Sequence, residues 1–352
     1  MNHSIYQTPA ALQPIHKVVK SKILSIGSYL PKQRVTSDEI MQEIKTDLHY
    51  DMPCDWMSQE MGIFERRMVA DHLRPSDLAI RAAQRALDEC EAIEPNEIDA
   101  VIFCGIERDR PEPATAHTIQ NALGLKAHHV FDIANACYGF IDGLKLASAL
   151  IETNMVTNAL VVTGEVTTRM SRVVIDMLKK GMPAEDAKHL WGLLSVGDAG
   201  GAAILGQSFD GVSGFMAYNQ RCDSRHTERC YYEYLADGSV DGKMQMGQVL
   251  ARGFQLNKVM VEETLEMLGW DAFDWVLSHQ TGKRSFDICA TLKSLDEDKL
   301  VRTYPLLGNI TTATFPISFQ KLVQSGKVNA GDRIGGVFAG SGLVAGQFGY
   351  VF

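Results

Sequence analysis

The stretch HVFDIANACYGFIDGLKLASALIETN occupies residues 129–154 and contains a complete structural transition. It begins with a short apolar run that ends in small residues, which is typical of a buried strand. After Cys137, apolar residues recur at steps of four, three and four, which places them on one face of a helix. These positions are Phe140, Leu144, Ala147 and Ile151. A strand that leads directly into an amphipathic helix is a building unit of α/β folds.

The same alternation extends over most of the chain. Further short apolar runs bounded by Gly or polar residues predict strands at KILSIGSYLP (22–31), IDAVIFCGI (98–106), NALVVTGEV (158–166) and GGAAILG (200–206). Between them, SDLAIRAAQRALDECE (76–91) has helical spacing. The pattern therefore predicts an α/β fold with layered sheets.

The second half of the chain repeats features of the first. The strand 98–106 resembles FDWVLSHQT (273–281), and the strand 158–166 resembles DRIGGVFAGSG (332–342), in the same order. We interpret this as duplication of one α/β unit, with halves at 21–210 and 211–352. Residues 1–20 are predicted to form a loose N-terminal arm. Residues 167–191 are predicted to form a helical insertion, at a position where a cap over a site would lie.

Composition excludes several classes of protein. The 352 residues include 34 Lys and Arg against 43 Asp and Glu, a net charge of −9, which argues against a nucleic-acid partner. No apolar run approaches about 18 residues, so no membrane span is predicted. The first residues lack the apolar centre of a signal peptide.

Seven dispersed cysteines indicate reduced thiols and a cytoplasmic location. Cys222, His226 and Cys230 lack a fourth ligand, so we interpret them as a polar loop and predict no metal site.

Cys137 is the strongest candidate nucleophile. It stands between a buried strand and the Gly139 that begins a helix, among small residues that permit a strained elbow. The helix N-terminus offers free N–H groups and a positive dipole end, which would lower the thiol pKa. The alternative is a buried cysteine that acts as a small hydrophobic residue.

His279 and Asn309 are candidate hydrogen-bond donors. His279 follows an apolar strand in WVLSHQTGKRS, and Asn309 follows a Gly in YPLLGNITTATFPI. Sites gather at the carboxyl ends of strands in α/β sheets. Alone, either residue would usually be a capping or core group. Together, their N–H donors could polarise one thioester carbonyl and stabilise an enolate.

These motifs, in this order, resemble the thiolase superfamily and, within it, the β-ketoacyl-acyl-carrier-protein synthase III enzymes. The resemblance covers about residues 21–352 and rests on SIGSYLPKQRVTSDEI, MGIFERR, DIANACYGF, SVGDAGGAAIL, LSHQTGKR, LGNITTAT and GGVFAGSGLVAGQFGYVF. It implies αβαβα layers built from two halves, a homodimer, and acyl thioesters of coenzyme A or acyl carrier protein as substrates without a metal or redox cofactor. It also implies that Cys137 accepts the acyl group, that His279 and Asn309 are paired donors, and that the N–H groups of Cys137 and Ser341 form an oxyanion hole.

Two departures affect the expected coenzyme A contacts. Trp56 is followed four residues later by Glu60, where the synthase III pattern has an Arg that helps to hold coenzyme A. The Asn that usually follows the catalytic His by three residues is Gly282, although Arg284 is retained. Trp56 and Arg284 remain the expected cofactor-binding residues. The entrance where coenzyme A would bind nevertheless fits the pattern of the initiating enzyme of fatty-acid synthesis poorly.

Glu112 distinguishes between subfamilies. It lies in DRPEPATAHTIQ, where synthase III supplies an aromatic side chain to the partner's acyl tunnel. PEPATA is similar to the stretch in olefin-pathway thiolases, which join two acyl-coenzyme A molecules head to head, and in related α-pyrone-forming ketosynthases. The resemblance implies that Glu112 acts as a base from the neighbouring subunit. An acyl thioester without a carboxylate to lose needs such a base at its α-carbon. The alternative is an ordinary exposed acid in a surface loop.

The sequence thus predicts an acyltransferase that joins two acyl thioesters by Claisen condensation through an acyl-Cys137 intermediate. The β-ketoacyl product is either released or cyclised to an α-pyrone. One alternative is decarboxylative condensation with a malonyl thioester. Others are a non-catalytic thiolase-fold subunit that binds acyl groups, and simple thioester hydrolysis or acyl transfer to a small acceptor.

Overall fold

The computed structural model describes residues 21–292 and 296–352. The predicted N-terminal arm, residues 1–20, lies outside the described residues. Across the described ranges, no helix combines the length and the apolar character that crossing a membrane requires.

The strands of the described residues are as follows, in chain order. They are β1 (Ser21–Tyr29), β2 (Arg34–Thr36), β3 (Glu65–Arg67), β4 (Ala100–Cys104), β5 (His129–Ile133), β6 (Ala159–Glu165), β7 (Ala199–Gln207), β8 (Gly214–Cys222), β9 (Cys230–Tyr234), β10 (Val240–Met244), β11 (Trp275–Ser278), β12 (Arg333–Gly340) and β13 (Val344–Val351).

The α-helices are α1 (Ser37–Ile44), α2 (Thr46–His49), α3 (Trp56–Glu60), α4 (Pro75–Asp88), α5 (Thr115–Leu123), α6 (Gly139–Glu152), α7 (Thr168–Lys179), α8 (Ala184–Ala187), α9 (Met246–Leu268), α10 (Lys283–Ala290), α11 (Tyr304–Leu307) and α12 (Thr314–Gln324). Short 3-10 turns occupy Pro95–Glu97, Trp191–Ser195, Ser224–Arg229, Glu297–Lys299 and Thr311–Ala313. The strands and helices predicted above for the first half are all present, with small shifts of their ends.

The first large sheet of the described chain has the strand order β1-β7-β6-β4-β5. β4 pairs in parallel with β5 and β6, whereas β7 runs antiparallel to β6 and to β1. Val101 and Phe103 of β4 pack in one apolar cluster, and Ile102 and Cys104 pack in another. Because alternate side chains of a strand point to opposite faces, both faces of this sheet are covered.

The second large sheet repeats the arrangement of the first. Its order is β11-β12-β13-β8, with β11 and β12 parallel and β13 antiparallel to β12 and to β8. This corresponds strand for strand to β4-β6-β7-β1. The sequence similarities pair β4 with β11 and β6 with β12, so the predicted duplication of one α/β unit is confirmed. The boundary between the halves at residue 210 stays a prediction.

Helices form three layers around the two sheets. Between the sheets, Phe140 of α6 stacks on Phe315 of α12 with ring centroids 5.6 Å apart, and Phe315 meets Phe348 of β13 at 5.5 Å. α4 and α5 cover the outer face of the first sheet, and α9 covers that of the second. The result is an αβαβα stack whose central core joins both halves.

The insertion 167–191 contains α7 and α8 and packs on the N-terminal helices. Val174 and Leu178 of α7 lie in one apolar cluster with Ile40 and Met41 of α1. The apolar side chains of this insertion are therefore buried against the body of the protein. Its function as a cap stays a prediction.

Candidate active site

Cys137 stands at a sharp turn between β5 and α6, two residues before the helix begins. Ala136 has φ 47°, a left-handed conformation that is uncommon for a residue with a Cβ. Tyr138 is buried behind the cysteine, and a Cβ on Gly346 would lie only 1.9 Å from the Tyr138 hydroxyl oxygen. The missing side chain at position 346 therefore allows Tyr138 to pack inside the core and to hold the cysteine turn in place.

A cavity brings Cys137 together with three other residues predicted from the sequence. His279, Asn309 and Ser341 line the same cavity as Cys137. The remaining wall is mostly apolar and comes largely from α9 and α10, with Leu250, Phe254, Ile288 and Leu292 among its residues. Three chemically useful side chains from distant parts of the chain thus share a space whose apolar walls suit an acyl chain.

His279 follows the carboxyl end of β11, where its backbone N–H donates to the Val337 carbonyl at 3.1 Å. The ring Nδ1 is buried and has no hydrogen-bond partner among the described residues. Burial lowers the pKa of His279 to about 4, so the imidazole is neutral near pH 7. A neutral imidazole keeps one N–H donor and adds no positive charge to the apolar cavity.

Asn309 is held by backbone and side-chain hydrogen bonds. Its N–H donates to the Ser195 carbonyl at 2.8 Å, and its carbonyl accepts from the Gly197 N–H at 3.0 Å. Its side-chain Oδ1 accepts from the Thr311 N–H at 3.1 Å. The side chain is therefore fixed through its oxygen, which leaves the amide NH₂ as its donor.

A second cavity also reaches Cys137. Cys137, Asn309 and Ser341 line it, as they line the first. Its other walls include the apolar residues Ile106, Met170, Leu193 and Val196. Cys230 and Met244 line both cavities. Two largely apolar cavities therefore share Cys137 as a lining residue.

The thiol pKa of Cys137 is raised, which is the opposite of the direction predicted from the sequence. Desolvation is the largest cause, and the neighbouring Cys230 and Glu165 raise it further by charge. The cysteine's own backbone N–H lowers it. The N-terminus of α6 would lower the thiol pKa of Cys137, but the burial of the thiol in apolar surroundings raises this pKa by more.

We expect Cys137 to react slowly with iodoacetamide near pH 7 and progressively faster above about pH 9, because only the thiolate is nucleophilic. Alkylation of the peptide that contains Cys137 can be followed by mass spectrometry as a function of pH. The exposed Cys222 serves as an internal reference for the reagent. A rate that has already reached its plateau at neutral pH would contradict this expectation.

The other three predicted site residues lie away from the cavities. Glu112 is exposed between β4 and α5, and Arg284 is exposed on α10. Trp56, at the start of α3, is partly buried against an apolar cluster. Within the described residues of one chain, none of the three lines either cavity. Their predicted functions, as a base and as coenzyme A contacts, stay predictions.

Two residues near the site were not predicted from the sequence. Cys230 lies beside Ser341 and was interpreted only as part of a polar loop. Glu165 is completely buried at the end of β6, where NALVVTGEV gave no sign beyond a polar residue at a strand end. In the part of the chain that the structure describes, no three His, Cys, Asp or Glu side chains form a group that could hold a metal ion.

Comparison with protein families matches both halves of the chain. Residues 131–224 match the family 3-oxoacyl-(acyl-carrier-protein) synthase III, and residues 255–348 match the C-terminal family of the same enzyme. The β-ketoacyl-(acyl-carrier-protein) synthase III of Hyphomonas neptunium is 30% identical over 90% of this chain and 94% of its own. That of a Bradyrhizobium species is 29% identical over 93% of this chain and 99% of its own.

Comparison with solved structures shows the same fold. A single-residue variant of OleA from Xanthomonas campestris has a TM-score of 0.89 at 24% identity, covering 96% of this chain and 100% of OleA. Cerulenin-bound OleA has a TM-score of 0.88, covering 97% and 98%. The predicted thiolase-like fold is confirmed. This chain belongs to the β-ketoacyl-acyl-carrier-protein synthase III family of the thiolase superfamily, and it is a condensing acyltransferase, a ketosynthase.

Proposed function

We propose that this ketosynthase joins two acyl thioesters by a Claisen condensation that does not depend on decarboxylation. The observation that carries the proposal is the meeting of two largely apolar cavities at Cys137, with His279 in one of them and Asn309 in both. Two such spaces can hold two acyl chains on either side of one sulfur atom. A malonyl group, which is short and charged, would not need the second space.

In the first half of the reaction, the sulfur of Cys137 attacks the carbonyl carbon of one acyl thioester. The N–H groups of Cys137 and Ser341 stabilise the negative oxygen of the tetrahedral intermediate. The bond from carbon to the leaving sulfur then breaks, and the thiol proton passes to the departing thiolate. The products are an acyl-Cys137 thioester and a free thiol, coenzyme A or the carrier protein's prosthetic thiol.

In the second half, the carbonyl oxygen of the other acyl thioester accepts hydrogen bonds from His279 and Asn309. These donors lower the cost of removing the α-proton, because the charge of the enolate develops on that oxygen. Glu112 of the neighbouring subunit takes the proton, so the proposal includes a homodimer. The α-carbon then attacks the acyl-Cys137 carbonyl, the carbon–sulfur bond breaks, and the thiolate of Cys137 leaves. Glu112 gives up the proton that it took and the thiolate takes up one proton, which restores the starting state of both groups. Every step is an acyl or proton transfer and needs no metal or redox cofactor.

Decarboxylative condensation is the second candidate. It is favoured by the names of the relatives, which are synthases of the type III class, and by the exposure of Glu112 in the single chain. Loss of carbon dioxide from a malonyl thioester generates the carbanion without a carboxylate base. The same Cys137, His279 and Asn309 would then act with one acyl and one malonyl thioester.

Product analysis separates these candidates. The purified protein is incubated with lauroyl-CoA, a molecule present in one solved OleA structure, with and without malonyl-CoA. We expect a β-ketoacyl-CoA that contains two lauroyl groups to form without malonyl-CoA. A strict requirement for malonyl-CoA would favour the decarboxylative reaction, and lauric acid as the only product would favour hydrolysis. Bound lipid with no acyl adduct on the intact protein would indicate a non-catalytic subunit.

A further inference from the structure

A buried carboxyl group lies behind the candidate active site and is not used in the mechanism above. Glu165, the last residue of β6, has no exposed surface. Its Oε1 accepts a hydrogen bond from the Ile106 N–H at 3.3 Å and another from the Thr312 hydroxyl. Its Oε2 is buried and has no hydrogen-bond partner in the described part of the chain. A carboxyl oxygen left in this state is costly unless the group has a function or carries a proton.

The hydrogen bonds of Glu165 lead to the loop that carries Asn309. Thr312 joins the carboxyl to this loop, and its hydroxyl is also 2.6 Å from the Thr163 hydroxyl. The adjacent Thr311 has φ 49°, a strained conformation for a β-branched residue, and donates its N–H to the Oδ1 of Asn309. The Thr311 hydroxyl is near enough to the carboxyl to lower the Glu165 pKa. The strained residue that orients Asn309 is thus followed directly by Thr312, which is hydrogen-bonded to Glu165.

We propose that Glu165 is a positioning residue for the condensation step. Its carboxyl holds Thr312, and through Thr312 and the adjacent Thr311 it aims the amide donor of Asn309 at the second thioester. The inference rests on the donor function of Asn309 in the proposed function. It is independent of Glu112 and of whether the condensation is decarboxylative.

The electrostatic surroundings determine which substitution conserves this function. Burial, with a smaller contribution from the carboxylate of Glu107, raises the pKa of Glu165 to about 7, although the hydrogen bonds that the carboxyl accepts lower it. Cys104, Cys137 and Tyr232 are the other titratable groups whose pKa values respond to Glu165. Near neutral pH a large fraction of Glu165 therefore carries a proton, and a proton on Oε2 would make that atom a donor. Glutamine has the same shape and the same pair of acceptor and donor groups.

The two half-reactions provide the test. Acylation of Cys137 is measured by intact-protein mass spectrometry, and condensation is measured from the pre-formed acyl-enzyme. We expect Glu165→Ala to slow condensation by roughly 10- to 100-fold, since small displacements of a catalytic donor have effects of this size. Acylation should change by less than about threefold, because Asn309 acts on the second thioester. Glu165→Gln should restore most of the condensation rate.

Further variants distinguish positioning from a general structural effect. Thr312→Val removes the hydrogen bond between the Thr312 hydroxyl and Glu165 by changing the loop residue, and it should slow condensation selectively. This variant keeps the proposal testable if Glu165→Ala does not fold. Ser148→Ala is the matched control, because Ser148 is a buried residue of the core bonded to Ser21 at 2.8 Å, and the ratio of the two rates should not change. Equal losses in both half-reactions, an unchanged condensation rate, or a Gln variant as slow as the Ala variant would overturn the proposal. Asn309→Ala distinguishes a failure of the Glu165 proposal from a failure of the proposed function. Condensation that survives this substitution would refute the proposed function itself.

Discussion

Replacement of Cys137 by alanine is expected to abolish both acyl-enzyme formation and condensation. The sulfur of Cys137, a residue that lines both cavities, can form the proposed covalent intermediate and then leave as a thiolate. Loss of a nucleophile that acts together with other catalytic groups lowers turnover by at least about a thousandfold. The measurement is product formation from lauroyl-CoA, together with the mass of the intact protein after incubation.

Cys230→Ala is the matched control for this experiment. Cys230 lines the same two cavities and its thiol pKa is also raised by burial, so the two variants make a similar change in volume and polarity. We expect the Cys230 variant to become acylated and to retain condensation. If its acyl adduct disappears while the Cys137 variant is still acylated, the nucleophile has been assigned to the wrong thiol.

Replacement of Glu112 by alanine is the second substitution with a large expected effect. Condensation of two lauroyl-CoA molecules should fall by roughly 10²- to 10⁴-fold, the usual contribution of a general base. The condensation rate of the Glu112→Gln variant should fall similarly, because an amide keeps the shape of the side chain but cannot take the α-proton. Acylation of Cys137 should persist in both variants, since that step does not use this carboxylate.

A subunit-mixing experiment tests the origin of the base. Co-expression of the Cys137→Ala and Glu112→Ala chains produces hybrid dimers. In a hybrid, the intact Cys137 of one chain faces the intact Glu112 of the other, so one competent site is expected per hybrid dimer. Recovery of condensation from two inactive parents would support a base that comes from the partner. Failure to recover, with hybrid dimers shown to form, would contradict it.

Arg110→Ala, an exposed change in the same loop, should leave the rate unchanged.

Local pattern was sufficient to predict most of the first sheet and its helices. Strands such as β4 and β6 are recognisable because their side chains are apolar on both faces and their ends are polar or Gly. α6 is recognisable because its apolar residues follow the helical period. These signals lie within a few neighbouring residues, which is why the sequence alone displays them.

Electrostatics could not be predicted in the same way. The position of Cys137 before a helix suggested a lowered pKa, but burial by segments far along the chain raises it. Glu165 looked like an ordinary strand end, whereas the fold removes it from water and bonds it to Thr312. Desolvation depends on everything that surrounds a group in space, and this information is spread over the whole chain.

By itself, the sequence determined the α/β alternation, the duplicated unit and the candidate residues Cys137, His279 and Asn309, because periodicity and motif order are local properties. Only the tertiary structure decided that these three share a cavity, that a second cavity reaches Cys137, and that Glu165 supports the Asn309 loop. Proximity and loss of solvent arise when distant segments pack together, so they exist only in the folded chain.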